Sequence, residues 1–441
     1  MGSSGAAVMR FDLPFTAGPP PLVSEEAGIT SLMERRSSSH AIDVTILDTA
    51  DNRLLRAGIL LAHRVLDGLG SWYLAAPAWR PHLPAEHVSP VGAAAELPDD
   101  LVAWTRPFVR RAAVGPVAGL DCRRSEYLLR GDGRVLGVIR DEKVTVRRGG
   151  VATARYREAT ITPSSRFTGR QRDFILGAMD SIAATHVTEF PSLQQRLGPP
   201  ATGGTDFPDI LRFRRRDVTL ESFVTAVFAA DLRALVTAWF TGAEELAAVL
   251  RDIHAHARGL ASVLDPSWLR GLEEAVATEV APRAQALDAI DLLVGAVRAP
   301  RLGDASREPA AALLLDRAEH GAHILAERCR TLGPDSSDQD WAAARAAADQ
   351  VQASGAVAVR LHGKAGRQLM ARLDEVDAAL RRCAVTVPGP ELAGLSVEEA
   401  FELGRQAERE SQGTIAEREA FVAAWPERLE EFRRLLRKVK R

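Results

Sequence analysis

The stretch Leu47–Pro77 reads LDTADNRLLRAGILLAHRVLDGLGSWYLAAP. It grows out of Ala41–Thr49, where Ile42, Val44 and Ile46 alternate with more polar neighbours. That period of two is the mark of a half-buried strand. Asp48 and Asp51 follow as turn residues, since an aspartate carboxylate can bond the backbone amides just after it. Trp72 reads as packing.

Outward from this stretch the β signals continue to about residue 163. Ser125–Leu129 and Val135–Ile139 flank Gly131-Asp132-Gly133, and Lys143–Arg148 and Val151–Thr162 flank Gly149-Gly150. Both are hairpin signals, because Gly and Asp-Gly tolerate the positive φ of tight turns. Strands joined by short turns predict an antiparallel sheet or barrel. Met9–Phe15 is a candidate first strand, behind a Gly/Ser-rich leader over 1–8. Residues 170–196 predict one or two helices. Arg196–Asp209 (RLGPPATGGTDFPD) is the best linker candidate, placing a linker over 197–210.

After Arg212 the pattern becomes helical: 219–240, 244–263, 266–297, 308–332, 338–385, 396–412 and 415–439. Phe223, Val227, Leu232 and Leu235 show the three-and-four spacing of an amphipathic helix. Asp265-Pro266, Ala299-Pro300, Leu332-Gly333-Pro334 and Pro388-Gly389-Pro390 mark breaks, and helices so joined predict a bundle. The fold class is therefore α+β: an N-terminal antiparallel sheet or barrel over 9–196, then an all-α helical bundle domain over 211–441.

With 441 residues, 46% hydrophobic and 26% charged, the chain has ordinary globular composition for more than one domain. No uninterrupted apolar run reaches membrane-spanning length, and no secretory signal stands at the start. The expectation is a cytoplasmic protein. Cys122, Cys329 and Cys383 are too scattered for a disulfide framework or a zinc site. The formal net charge is −2, and the cations are 52 Arg against 4 Lys. Neither half is strongly basic, which argues against nucleic acid and makes any polyanion site a local patch. The basic run Arg433–Arg441 reads as a helix C-terminus whose cations complement the dipole.

The quoted stretch resembles the signature of the CYTH family, in which a D-T-x-D-x-x-L-x-x-A-G turn leads to L-R-x-R and then W-x-L-K-x-P. Asp48, Thr49, Asp51, Leu54, Leu55, Ala57, Gly58, Arg64, Trp72, Leu74 and Pro77 fit it. Cys122-Arg123-Arg124, Gly131–Val144 and Arg157-Glu158 fit the later strands. The resemblance implies a triphosphate tunnel, a β-barrel whose inward Arg and Lys hold phosphates. Its inward Glu residues hold Mg²⁺ or Mn²⁺, with no organic cofactor. Arg64, Arg123, Arg124 and Arg157 become candidate phosphate ligands, and Asp12, Asp141, Glu142 and Glu158 candidate metal ligands. The alternative for the arginines is the outer, solvated face. The sequence departs from the pattern where chemistry is done. Pro14 and Ala75 replace lysines, Ala62 replaces an arginine, and Glu158-Ala-Thr160-Ile-Thr162 stands for E-x-E-x-E.

The second half resembles CHAD, a helical domain that often follows CYTH and carries basic histidine motifs. Leu250–Leu260 (LRDIHAHARGL) and Val359–Leu369 (VRLHGKAGRQL) stand at about the right places. Arg251, His254 and Arg258, spaced three and four apart, fall on one helix face, as do Arg360, Lys364 and Arg367. With His362 they are candidate contacts for a linear polyanion; the alternative is a solvated helix face. Three functions follow. One is a binder of a phosphate polymer or triphosphate-type polyanion with little hydrolysis. The others are a Mg- or Mn-dependent triphosphatase and a non-enzymatic protein-interaction scaffold. Oligomeric state and protein partners are not legible here.

Overall fold

The computed structural model describes residues 7–92, 96–210, 218–277, 282–384 and 396–440. It divides into two units, Met1–Asp206 and Phe207–Arg441. The Pro388-Gly389-Pro390 break and most of the expected leader lie outside the described residues.

The first unit is an antiparallel sheet with short helices. Its strands are β1 (Met9–Leu13), β2 (Ser31–Glu34), β3 (His40–Asp48), β4 (Leu60–Leu66) and β5 (Leu69–Ala75). After them come β6 (Glu86–Pro90), β7 (Gly115–Gly131), β8 (Arg134–Arg148), β9 (Val151–Pro163) and β10 (Thr185–Val187). Four helices interrupt them: α1 (Arg53–Arg56), α2 (Asp99–Val109), α3 (Gly169–Asp180) and α4 (Leu193–Leu197). The order is β10-β1-β9-β8-β7-β3-β4-β5-β6, with β2 pairing β7 beyond the end of β3. The expected barrel is not closed by hydrogen bonds: β10 and β6 are the ends of the path.

Both expected hairpins form at left-handed turn residues. Asp132 and Gly133 (φ 50° and 72°) join β7 to β8, and Gly149 and Gly150 (φ 54° and 82°) join β8 to β9. The DTAD segment is a capping device. Asp48, 1% exposed, accepts from the amides of Thr49, Leu54 and Leu55 at 2.7, 2.9 and 2.9 Å. Burial raises its pKa, and the three amide bonds work against that rise.

Each sheet face has its own cover. α3 and the segment behind β1 bury Met9, Phe11, Leu13, Ile139, Ala159 and Ile161 on one face. α4 sits on the other, its Leu193 and Leu197 against Ile46, Val44, Leu120, Val146 and Tyr156. The stretch expected as a linker holds the boundary between the units, and its part up to Asp206 is anchored to the first unit. Ala201 packs into that second cluster, and Asp206, 3% exposed, bonds Arg56 at 3.1 Å and Arg110 at 2.9 Å.

The second unit is helical: α5 (Leu220–Thr241), α6 (Ala243–Gly259), α7 (Pro266–Val276), α8 (Pro282–Arg298), α9 (Ala310–Thr331), α10 (Asp338–Cys383) and α11 (Val397–Lys440). By length and composition α5 is apolar enough to cross a membrane, at a mean hydropathy of 1.5, but 67% of that window is buried inside the unit. Two sequence expectations change. The segments 396–412 and 415–439 form one helix, because Gly413 has open space around it and keeps helical backbone. Conversely, 338–385 is not one rod. Gly363, at φ 60° and ψ −132°, folds α10 into two arms. The arms run antiparallel: Gln352 bonds Asp374 at 2.7 Å, Arg381 reaches Asp349 at 3.5 Å, and Gly355 lies against Met370.

The arms also trap a carboxylate pair. Asp377 has a 5% exposed side chain, 2.7 Å from Arg381, and Asp349 is within reach of both. Burial raises the Asp377 pKa; Arg381 opposes the rise and the Asp349 carboxyl adds to it. As pH climbs past the ordinary aspartate range, the unfolded chain releases this proton before the folded one. Stability therefore falls up to the raised folded value. Asp377→Asn will flatten that fall. The variant's melting temperature will gain on the parent's as pH rises above the ordinary aspartate range; parallel curves would remove the pair as the cause.

Candidate functional site

Strand pairing brings the charged positions into one cross-strand row. Asp12 lies opposite Glu158, Glu158 opposite Glu142, Glu142 opposite Arg124, and Arg124 opposite His40. All five stand on the sheet face that α4 covers, because side chains alternate along a strand and register carries the parity across. Val44 pairs with Arg64, which places Arg64 on this face too. Its guanidinium lies 3.1 Å from the Tyr73 ring centroid.

Arg196, on α4, organises the acidic end of the row. It donates to Glu158 at 2.9 Å, lies 3.7 Å from Asp12, and stacks over Tyr156 at 4.4 Å. Arg124 holds Glu142 at 2.5 Å. Burial raises the Glu158 pKa; Arg196 opposes the rise, and Glu142 and Asp12 add to it. Burial likewise raises Tyr156, with Glu158 second, and pushes the Cys122 thiol up to about 11. Cys122 is thus held as a thiol and is not an activated nucleophile. The face is a lattice of guanidinium and carboxylate groups in near balance.

The other predicted residues fall elsewhere. Arg123 and Arg157 are one residue out of phase with Arg124 and Glu158, so they stand on the opposite face, as does Asp141. Arg157 is 3% exposed and makes two bonds to Asp141, at 2.9 and 2.6 Å, with a third to the Ala17 carbonyl at 2.6 Å. That is a structural ion pair. The four carboxylates proposed for a metal therefore do not fit one ion. Asp141 faces away, and Asp12, Glu142 and Glu158 already spend oxygens on arginines. Among the described residues no group of three or more His, Cys, Asp or Glu is placed to hold a metal.

In the helical unit Arg251, His254 and Arg258 share α6 as expected, with Arg251 exposed. Gly363 separates Arg360 from Lys364 and Arg367, so those three do not share one helix face; the turn removes the regular spacing on which that expectation stood. Arg360 donates instead to Nε2 of His256 at 2.5 Å, whose Nδ1 is 2.8 Å from buried Asp231. A guanidinium only donates, so in this arrangement Nε2 accepts and the Nδ1–H donates to Asp231. His362 donates to the Ala311 carbonyl at 3.1 Å, and its burial lowers its pKa. Lys364 and Arg367 are exposed.

Sequence reasoning missed Arg196 and Tyr156. Tyr156 was findable from strand parity with Glu158. Arg196 sits on a five-residue helix, and its partners are 38 and 184 positions away, so no local signal marked it.

No family model matches the chain, and no curated protein matches it. Solved structures do. A candidate adenylate cyclase from Bacillus halodurans is 12% identical over 37% of this chain and 86% of its own, at a TM-score of 0.24. A candidate adenylyl cyclase from Hippeastrum, with a dominant triphosphatase activity, is 14% identical over 42% and 91%, at 0.21. A candidate adenylate cyclase from Vibrio parahaemolyticus is 12% identical over 43% and 96%, also at 0.21. At such identities and TM-scores these likenesses carry no weight in assigning a function.

Proposed function

We propose that the protein is a divergent CYTH–CHAD-like binder of a phosphate polymer or triphosphate-type polyanion that performs little or no hydrolysis. The observation that carries this reading is the pairing of Arg196 with Asp12 and Glu158, and of Arg124 with Glu142. Carboxylates that would hold Mg²⁺ or Mn²⁺ are neutralised internally, while Arg64, which none of them pairs with, and the N–H groups that Arg124 and Arg196 do not use on carboxylates are the donors for phosphate oxygens. The sequence departures at Pro14, Ala62, Ala75, Thr160 and Thr162 support the same conclusion. A cytoplasmic location is part of the proposal, since condensed phosphates and nucleotides are intracellular anions.

The test is the full chain with tripolyphosphate and Mg²⁺ or Mn²⁺, read for orthophosphate release, beside thermal-shift titrations with tripolyphosphate and long-chain polyphosphate. The expected result is a ligand-dependent rise in melting temperature without turnover. Affinity will fall with added salt, as counterion release requires. Arg124→Ala will weaken binding about tenfold or more, the scale of one charge-assisted hydrogen bond. Turnover that Glu158→Gln removes would replace this reading with a metal-dependent triphosphatase. Neither turnover nor shift would leave both units as interaction scaffolds.

A further inference from the structure

The sheet face that α3 partly covers carries cations that carboxylates leave largely uncompensated. Arg123 on β7, Lys143 and Arg147 on β8, and Arg155 on β9 surround a cleft of about 470 Å³ with Phe15, Asp121 and Thr145. Register explains why they meet. Arg123 is opposite Lys143, Asp121 is opposite Thr145, and Thr145 is opposite Arg155. The cluster therefore spans three adjacent strands, roughly 10 Å at the usual strand spacing.

Three features separate this cleft from an ordinary solvated sheet. First, Lys143 and Arg155 make no salt bridge among the described residues; their ring contact is Phe15, at 5.9 and 5.8 Å. Second, the acids present are few and distant. Asp121 lies 4.0 Å from both Arg123 and Arg147, the outer limit of an ion pair, and Asp43 stands opposite Asp121 in register. Four cations thus outnumber two carboxylates. Third, the wall is fixed from behind. The buried Arg157–Asp141 pair bonds the Ala17 carbonyl, and the Ala17 amide closes a turn onto Pro14, which sets Phe15 over the cations. Like charges held this close repel one another, and a multivalent anion relieves that repulsion.

We propose that this cleft is a second anion site, on the face opposite Arg124, for a compact condensed inorganic phosphate of the di- or triphosphate class. Arg123, Lys143, Arg147 and Arg155 donate to the phosphate oxygens, and Thr145 supplies a hydroxyl. Apart from Phe15, whose ring has Lys143 and Arg155 at 5.9 and 5.8 Å, the lining is charged or hydroxyl-bearing and offers a base no second apolar surface. The bare phosphate chain is favoured over a nucleotide or a nucleic acid. The site stands independently of the α4-face reading, because it uses none of its residues.

Isothermal titration of the full chain with tripolyphosphate, in chelator to exclude metal complexes, separates the two. Arg123→Gln combined with Arg155→Gln removes two charges from exposed positions, and circular dichroism checks the fold. The expected result is a loss of roughly tenfold or more in affinity at one site, the scale of lost charged hydrogen bonds, with the loss shrinking as salt rises. Arg124→Gln will leave that site unchanged. Binding by the double variant equal to the parent's overturns the cleft around Phe15 as a site. If Arg124→Gln then removes the binding, the α4-face reading stands alone. Absence of any binding by the parent overturns both. A nucleoside triphosphate that binds more tightly than tripolyphosphate overturns the ligand class.

Discussion

Asp141→Ala will cost the first unit about 3–5 kcal/mol, because it strands a buried guanidinium. Arg157 has a 4% exposed side chain and spends both Nε and Nη2 on that one carboxylate. Its other hydrogen bonds go to the Ala17 and Gly18 carbonyls, which are neutral. Removing the carboxylate leaves a full positive charge in a site with little access to water. The proper comparison is the double replacement Asp141→Leu with Arg157→Met. It takes the charge away with its partner and should recover most of the loss, since a buried pair offsets its own desolvation only partly. Amide hydrogen exchange in β8 and β9 reads the unit locally. Equal protection in parent and Asp141→Ala would show that Arg157 finds another anion. It would also reopen Asp141 and Arg157 as ligand-binding groups.

That pair illustrates what the sequence could and could not tell. The hairpins at Asp132-Gly133 and Gly149-Gly150 were legible because a positive φ is a local demand that few residues meet. The capping role of Asp48 was legible for a similar reason: its acceptors act on amides one, six and seven residues on. The side of the sheet is legible from strand parity alone. Arg123 and Arg124 are adjacent in a strand and must face opposite ways, so only one of them can join Glu142 and Glu158. Reading both as phosphate ligands of one tunnel took motif position for geometry. Arg196 was out of reach, because its meaning depends on where a five-residue helix docks. The cleft around Phe15 was out of reach as well. Its cations come from three strands whose register had first to be known.

Gly363→Ala will destabilise the helical unit by about 2–4 kcal/mol, because backbone strain and helix propensity act in the same direction. The backbone at φ 60° and ψ −132° is open to glycine and strains an L side chain by roughly 1–3 kcal/mol. Alanine also favours helix over glycine by about 1 kcal/mol, so it promotes the continuous rod that the sequence pattern already suggests. The rod is incompatible with the core. Trp341, Ala344, Ala348 and Val351 on the first arm share one apolar cluster with Leu373, Val376, Leu380 and Cys383 on the second. They can meet only if the chain reverses between them. The reversal is built for close approach: a Cβ on Gly366 would come 2.9 Å from Val359 Cγ2, and one on Gly355 would come 2.4 Å from Met370 Sδ. Gly413→Ala is the matched control. Its surroundings are open and its backbone helical, so the same methyl should stabilise by about 0.5–1 kcal/mol. Opposite signs for two glycines that look alike in sequence would place the difference in the turn. A Gly363→Ala protein that melts with the parent, at unchanged helicity, would mean that the arms are held by their packing alone. The α10 reversal would then need no glycine.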